Sequence, residues 1–78
     1  MNKNHFNETR LKLLDVIALL KDIPGERLAK GQVGTIVEEL AGGAYEVEFA
    51  DKKGKTIASV ALETQDIMLL HFEPESVV

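Results

Sequence analysis

Two strands and a tight turn are predicted by residues 31–49, which read GQVGTIVEELAGGAYEVEF. In the second half of this stretch Tyr45, Val47 and Phe49 alternate with two glutamates. A period of two places the three apolar side chains on one face of a strand and the carboxylates on the other. We therefore predict a half-buried strand that begins just after the glycine pair.

The loop before this strand predicts how the two strands pair. Residues 41–43 read Ala-Gly-Gly, a three-residue loop in which a glycine supplies positive φ. Such a loop sets Val37 opposite Val47 and Glu38 opposite Glu46, so that the apolar faces coincide. A loop of two or four residues would turn Glu46 toward the core, which a one-residue slip of register makes costly.

The same register assigns each residue of the first strand to a face. The residues predicted to point inward are Val33, Thr35 and Val37, and those predicted to point outward are Ile36, Glu38 and Leu40. Gly34 interrupts the strand pattern and suggests a bulge or a bend at a barrel corner.

Length and composition indicate one small domain. Seventy-eight residues are close to the size at which a single core barely outweighs chain entropy. There is no cysteine, so neither a disulfide framework nor a thiolate metal site is expected. The N-terminus is polar, without the apolar run of a signal peptide, and no apolar stretch approaches the roughly 18 residues of a membrane span. We expect a cytoplasmic protein without membrane contact.

Charge is unevenly distributed along the chain. The net charge is −4; residues 1–37 carry six basic and four acidic side chains, and residues 38–78 carry three basic and nine acidic ones. Contacts with phosphates need a clustered basic surface, so this balance disfavours nucleic acid as a partner.

The chain divides into a flexible lead-in at 1–10, a domain at 11–72 and a tail at 73–78. Residues 11–21, LKLLDVIALLK, fit a helix by propensity, but their apolar residues fall on every side of a helical wheel. The next four residues are Asp-Ile-Pro-Gly, which suit a type II turn and favour a strand before it.

Further along, an Asp-Lys-Lys-Gly turn at 51–54 leads to another strand, then a single helical turn at 62–66 and a last strand at 67–72. The strand residues predicted to point inward are Thr56, Ala58 and Val60, and those predicted to point outward are Ile57, Ser59 and Ala61.

Several segments together resemble the bacterial domain-of-unknown-function family 4926. They are LLDVIAL at 13–19, IP at 23–24, KGQVGTIVE at 30–38, AYEVEFAD at 44–51 and GKT at 54–56. The resemblance implies an all-β fold, a small five-stranded SH3-like barrel with one short helical turn before the last strand. It implies no catalytic motif. The lysine-glycine entry to the strand at 30–38 is also similar to that of KOW-type and other SH3-like barrels, several of which bind ribosomal RNA or proteins.

The candidate site is a partner-binding surface rather than a catalytic one. Its members are Ile36, Glu38, Glu46, Glu48 and Ile57. The glutamates would lie together on the outer face, where a cation or a basic partner would relieve their repulsion, although a solvated face whose repulsion is screened by salt is the simpler explanation. The two isoleucines would lie beside them on a face that should be polar, so the N-terminal segment, the last strand, another protein or a second copy is expected to cover them.

No enzyme, metal or cofactor is predicted. The carboxylates alternate out of the core and so lack the burial that a catalytic carboxylate pair needs, and neither His5 nor His71 has a set of neighbouring ligands. The leading hypothesis is a non-enzymatic interaction or accessory module that binds a co-encoded protein, as in a toxin–antitoxin pair. The alternative is a KOW-like nucleic-acid-binding barrel, which would use Lys52, Lys53, Lys55, Arg27 and Lys30.

Overall fold

The computed structural model describes residues 11–74, which form a single sheet of five antiparallel strands. The strands are β1 (Val16–Leu19), β2 (Val33–Leu40), β3 (Ala44–Ala50), β4 (Thr56–Glu63) and β5 (Ile67–Leu69), and their order in the sheet is β4-β3-β2-β1-β5. The helical elements in these residues are single 3-10 turns at Pro24–Glu26, Ala41–Gly43 and Thr64–Asp66. The predicted all-β fold with a helical turn before the last strand is confirmed. The predicted lead-in at 1–10 and the end of the tail lie outside the described residues.

The connection from β4 to β5 shows that the sheet is curled. These strands are the two edges of the sheet, yet only the 3-10 turn Thr64–Asp66 joins them. The edges of a flat five-stranded sheet lie about 19 Å apart, whereas the four Cα–Cα steps from Glu63 to Ile67 span about 14 Å at most. Leu62 at the end of β4 and Ile67 at the start of β5 belong to the same buried cluster. The domain is therefore a small barrel-like fold around one core.

Side chains from every strand and from the β1–β2 connection fill this core. The buried cluster consists of Ile17, Leu19, Leu28, Ile36, Val47, Phe49, Ala58, Leu62 and Ile67. Leu11, Ile23, Tyr45 and Val60 pack against it and are partly buried.

The ambiguous stretch at 11–21 contains a strand, as favoured, and not a helix. β1 pairs with β2 on one side and with β5 on the other, and Ile17 to Leu19 are all buried. Ile17 and Leu19 face the core, and Ala18 between them, on the outer face, is only 7% exposed, so all three positions suit apolar residues. The predicted type II turn after it is wrong: Pro24–Glu26 is a 3-10 turn, and the left-handed residue is Arg27 at φ 59°.

A bulge at Val37 changes the register predicted for β2 and β3. Glu38 pairs with Glu46 as expected, but on the far side of Val37 it is Ile36 that pairs with Val47. The extra residue reverses which side chains face inward, because two residues of β2 oppose one of β3. The predicted inward face of β2 is therefore wrong: Ile36 is fully buried, whereas Val33 and Val37 are exposed.

A second bulge lies on the other side of β3. Ala50 pairs with Thr56 and Phe49 pairs with Ala58, which leaves Ile57 as the extra residue of β4. Ala58 is buried, as predicted, whereas Thr56 is exposed, which corrects the inward position given to it. Bulges bend a strand and increase its twist. One on each side of β3 accounts for the curl that brings the two edges together.

Gly34 is required by packing and not by a bulge. A Cβ built there would lie 2.7 Å from Cε1 of Phe49 and 2.8 Å from Cγ1 of Val47, distances at which carbon atoms overlap. The glycine thus lets the Phe49 ring lie against the backbone of β2. The turns at 41–43 and 51–54 form as predicted. The helical turn predicted at 62–66 is confined to Thr64–Asp66, because Leu62 and Glu63 belong to β4, and β5 ends earlier than predicted, at Leu69.

Candidate partner-binding surface

Three carboxylates lie on the outer face of the sheet, where β2 and β3 meet. Glu38 is directly opposite Glu46, and Glu48 follows two residues later on the same face of β3, opposite Thr35. Side chains directly opposite each other have Cβ atoms about 5 Å apart, and like charges in such a pair are destabilising. We call Glu38, Glu46 and Glu48 the acidic row; its predicted grouping is confirmed.

Hydroxyl groups from β4 hold two members of the acidic row. Ser59 Oγ donates a hydrogen bond to Glu46 Oε2 at 2.6 Å, and Thr56 Oγ1 donates one to Glu48 Oε2 at 2.9 Å. Each bond fixes one carboxylate oxygen and leaves the other able to accept a further donor. The row is thus an oriented set of acceptors on the surface. Within residues 11–74 no cluster of three or more carboxylates or histidines is placed to hold a metal ion.

The two isoleucines of the predicted site lie in different places. Ile57 is 48% exposed at the bulge of β4, on the outer side as predicted. Ile36 is fully buried in the core, so its assignment to the outer face is wrong. The cause is the bulge at Val37, which exchanges the faces of these two neighbours. Val37, at 39% exposure, takes the place on the surface that Ile36 was predicted to have.

The acidic row thus has an apolar residue on each side. Val37 lies in β2 on one side, and Ile57 lies in β4 on the other. We call Val37, Glu38, Glu46, Glu48 and Ile57 the acidic–apolar face. Its chemistry suits a partner with both apolar and cationic side chains. Val37 was not predicted to lie on this face, because alternation counted back from the glycine loop does not allow for the extra residue of the bulge.

The lysines predicted for the nucleic-acid alternative lie at the tip of the β3–β4 turn. Lys52, Lys53 and Lys55 are exposed, and Asp51 organises the turn by accepting hydrogen bonds from the backbone N–H groups of Lys53 and Lys55 at 2.8 and 2.9 Å. Arg27 is also exposed, in the β1–β2 connection, and so is Lys30. Nucleic-acid binding by these residues stays a prediction.

An open groove of about 440 Å³ lies along β5. Its lining residues are Leu11, Tyr45, Thr64, Ile67, Met68, Leu69 and His71. The lining is mostly apolar and includes one histidine, His71. His5, the other histidine, lies outside the described residues. No helix in the described part of the chain is long and apolar enough to span a membrane.

Comparison with known proteins identifies a family without an assigned activity. Neither a curated protein nor a solved structure matches the chain. A family model described as a domain of unknown function, DUF4926, matches residues 13–69, which include all five strands and both bulges. The match covers well over half of the 78 residues. The chain therefore belongs to the DUF4926 family.

Proposed function

We propose that this chain is a non-enzymatic interaction module of the cytoplasm that binds another protein through its acidic–apolar face. The observation that carries the proposal is the acidic row between two exposed apolar side chains, Val37 and Ile57. Isolated surface carboxylates are ordinary, and so are single exposed apolar residues. A pair of like charges directly opposite each other on neighbouring strands is not ordinary, because a neutral residue at either position would make the sheet more stable.

A cationic partner removes the cost of this arrangement. Lysine or arginine side chains of a bound protein would pair with Glu38, Glu46 and Glu48, and their attraction would direct the encounter. The two apolar residues would then be covered by apolar side chains of the same partner. The acidic half of the chain, with nine acidic and three basic side chains in residues 38–78, supports the same choice of partner.

A small, single-purpose acidic module fits a partner encoded beside it, as in a toxin–antitoxin pair. Coexpression of the tagged chain with each neighbouring reading frame, followed by size exclusion, tests this directly. We expect a complex with one of these products, and relief of any growth arrest that this product causes alone. Failure of every neighbouring product to form a complex would contradict a co-encoded partner.

Three variants locate the interface. Ile57→Asp and Glu46→Lys should each weaken the complex by at least about tenfold, because the first places a charge in an apolar contact and the second repels a cation. Phe72→Asp is the matched control for the first, since Phe72 is 77% exposed beyond β5 and should leave binding unchanged. Ile36→Asp cannot serve, because Ile36 is in the core. Retention of the partner by both surface variants would show that this face is not the interface.

A further inference from the structure

A trough of apolar side chains crosses the outer face of the sheet beside the acidic row. Ala18 in β1 is directly opposite Val33 in β2 and Met68 in β5. Its neighbours along β1 point into the core, so alternation places Ala18 on the outer face. Val33 is 51% exposed, Met68 is 49% exposed and Ala18 only 7%. A small side chain thus forms a floor between two half-exposed walls.

The trough matches the contact face of a short α-helix. Its walls rise from strands two inter-strand spacings apart, about 10 Å, so a helix about 10–12 Å across with its side chains can rest on both walls. The strand that forms its floor, β1 (Val16–Leu19), spans about 13 Å, the length of a helix of about nine residues. Leu14, in the turn before β1, and Leu20, just after it, are also exposed.

Charge lies on one flank of this trough, toward its Val16 end. Val16 is opposite Thr35 in β2, Thr35 is opposite Glu48 in β3, and Glu46 and Glu38 continue the acidic row from there. Glu48 and Glu46 therefore lie in the strand next to β2, about 5 Å beyond it, and Glu38 lies in β2 itself. A helix lying in the trough would bring the residues on that flank within reach of Glu48 and Glu46.

We propose that this trough binds an amphipathic helix of a partner protein, with apolar residues at helical spacing on one face and lysine or arginine along one flank. The proposal rests on the function proposed above and names the kind of segment that the partner presents. Helix-in-groove recognition uses apolar anchors at intervals of three and four residues. Val33 and Met68 would hold such anchors between them, with the largest anchor over Ala18.

A second copy of this chain fits the same surface poorly. A two-fold interface brings the same patch of both copies together. Centred on this face, it would oppose the two acidic rows or lay each row over the partner's apolar trough. The first arrangement sets like charges against each other, and the second removes carboxylates from water without a counter-charge.

Backbone-amide NMR with two model peptides tests the proposal. One peptide of about 18 residues carries leucine at helical spacing and lysine along one flank; the other has glutamate at each lysine position. We expect the lysine peptide to shift the amides of Val33, Ala18, Met68 and Glu48, and to bind more weakly as salt is added. Equal binding of both peptides, or shifts confined to other parts of the domain, would overturn the proposal.

A variant that fills the trough separates this proposal from the one above. Ala18→Leu adds bulk toward solvent and should weaken the lysine peptide, and any captured partner, by at least about tenfold. Ala41→Leu makes the same change in the exposed β2–β3 loop, remote from the trough, and should have no effect. Unchanged amide shifts away from position 18 would show that the variant keeps its fold.

The results distinguish the two proposals. A partner captured by the wild type and retained by Ala18→Leu would overturn the trough as its site while leaving the proposed function in place. Peptide binding in the trough without any captured protein would support the trough and count against a co-encoded partner. A native mass equal to two chains that Ala18→Leu converts to one would assign the trough to a second copy, and would overturn the helix proposal.

Discussion

Alanine substitutions at Ile36 and Val37 test the bulge in β2, which decides which of two neighbouring β-branched residues enters the core. Ile36 is fully buried and Val37 is 39% exposed. Ile36→Ala removes three buried carbons, each worth about 0.8 kcal/mol on transfer from water, or about 2.4 kcal/mol together. The cavity left behind adds to this, so we expect a loss of about 2–5 kcal/mol in the free energy of unfolding.

Val37→Ala removes two carbons that already contact water. Its expected cost is below about 1 kcal/mol, mainly from strand propensity. Both variants should be compared with the wild type by urea unfolding followed by far-ultraviolet circular dichroism, with the slope against urea as a check that the unfolded state is unchanged. In thermal unfolding each 1 kcal/mol corresponds to about 4–8 °C in a domain of this size, so Ile36→Ala should lower the melting temperature by at least about 8 °C.

A strand without a bulge would place Val37 opposite Val47 in the core and Ile36 on the surface. In that register Val37→Ala would be the costly change and Ile36→Ala the mild one. Equal or inverted losses would therefore refute the bulge, and with it the exchange of Ile36 for Val37 on the acidic–apolar face.

Substitutions at three further positions test local interactions. Gly34→Ala should cost about 1–3 kcal/mol, because its Cβ would lie 2.7 Å from an aromatic carbon of β3; a higher melting temperature would contradict the packing. Asp51→Ala should cost about 1–2 kcal/mol by removing the acceptor of two backbone N–H groups, and Asp51→Asn should cost less; equal losses would contradict this role. A backbone N–H bond first, and then the Lys21 ammonium at 3.3 Å, lower the pKa of Asp66 below its usual value of 3.8. A carboxyl group with a lowered pKa stabilises the folded state fully at a pH above its unfolded-state pKa, and this stabilisation is lost as the pH falls through its folded-state pKa. In urea unfolding, Asp66→Asn should therefore be less stable than the wild type at pH 7, and the difference should narrow by pH 3.

The local sequence determined the strands and turns of this protein. The alternation at 45–49 is a property of neighbouring residues, so it predicted β3 and the outward direction of Glu46 and Glu48 without any knowledge of the fold. The Ala-Gly-Gly loop likewise determined the pairing of Glu38 with Glu46, because a short loop constrains the strands that it joins. The acidic row could be predicted for this reason.

Tertiary structure decided which residues of β2 face the core beyond the bulge at Val37. Ile36 and Val37 are both β-branched and apolar, so propensity does not separate them, and parity counted from the loop fails at the extra residue. The curl of the whole sheet, which a short connection between its two edges requires, makes that residue necessary. The trough also depends on tertiary structure. Val33, Ala18 and Met68 are distant in sequence, and only the pairing of β1 with β2 and β5 brings them together.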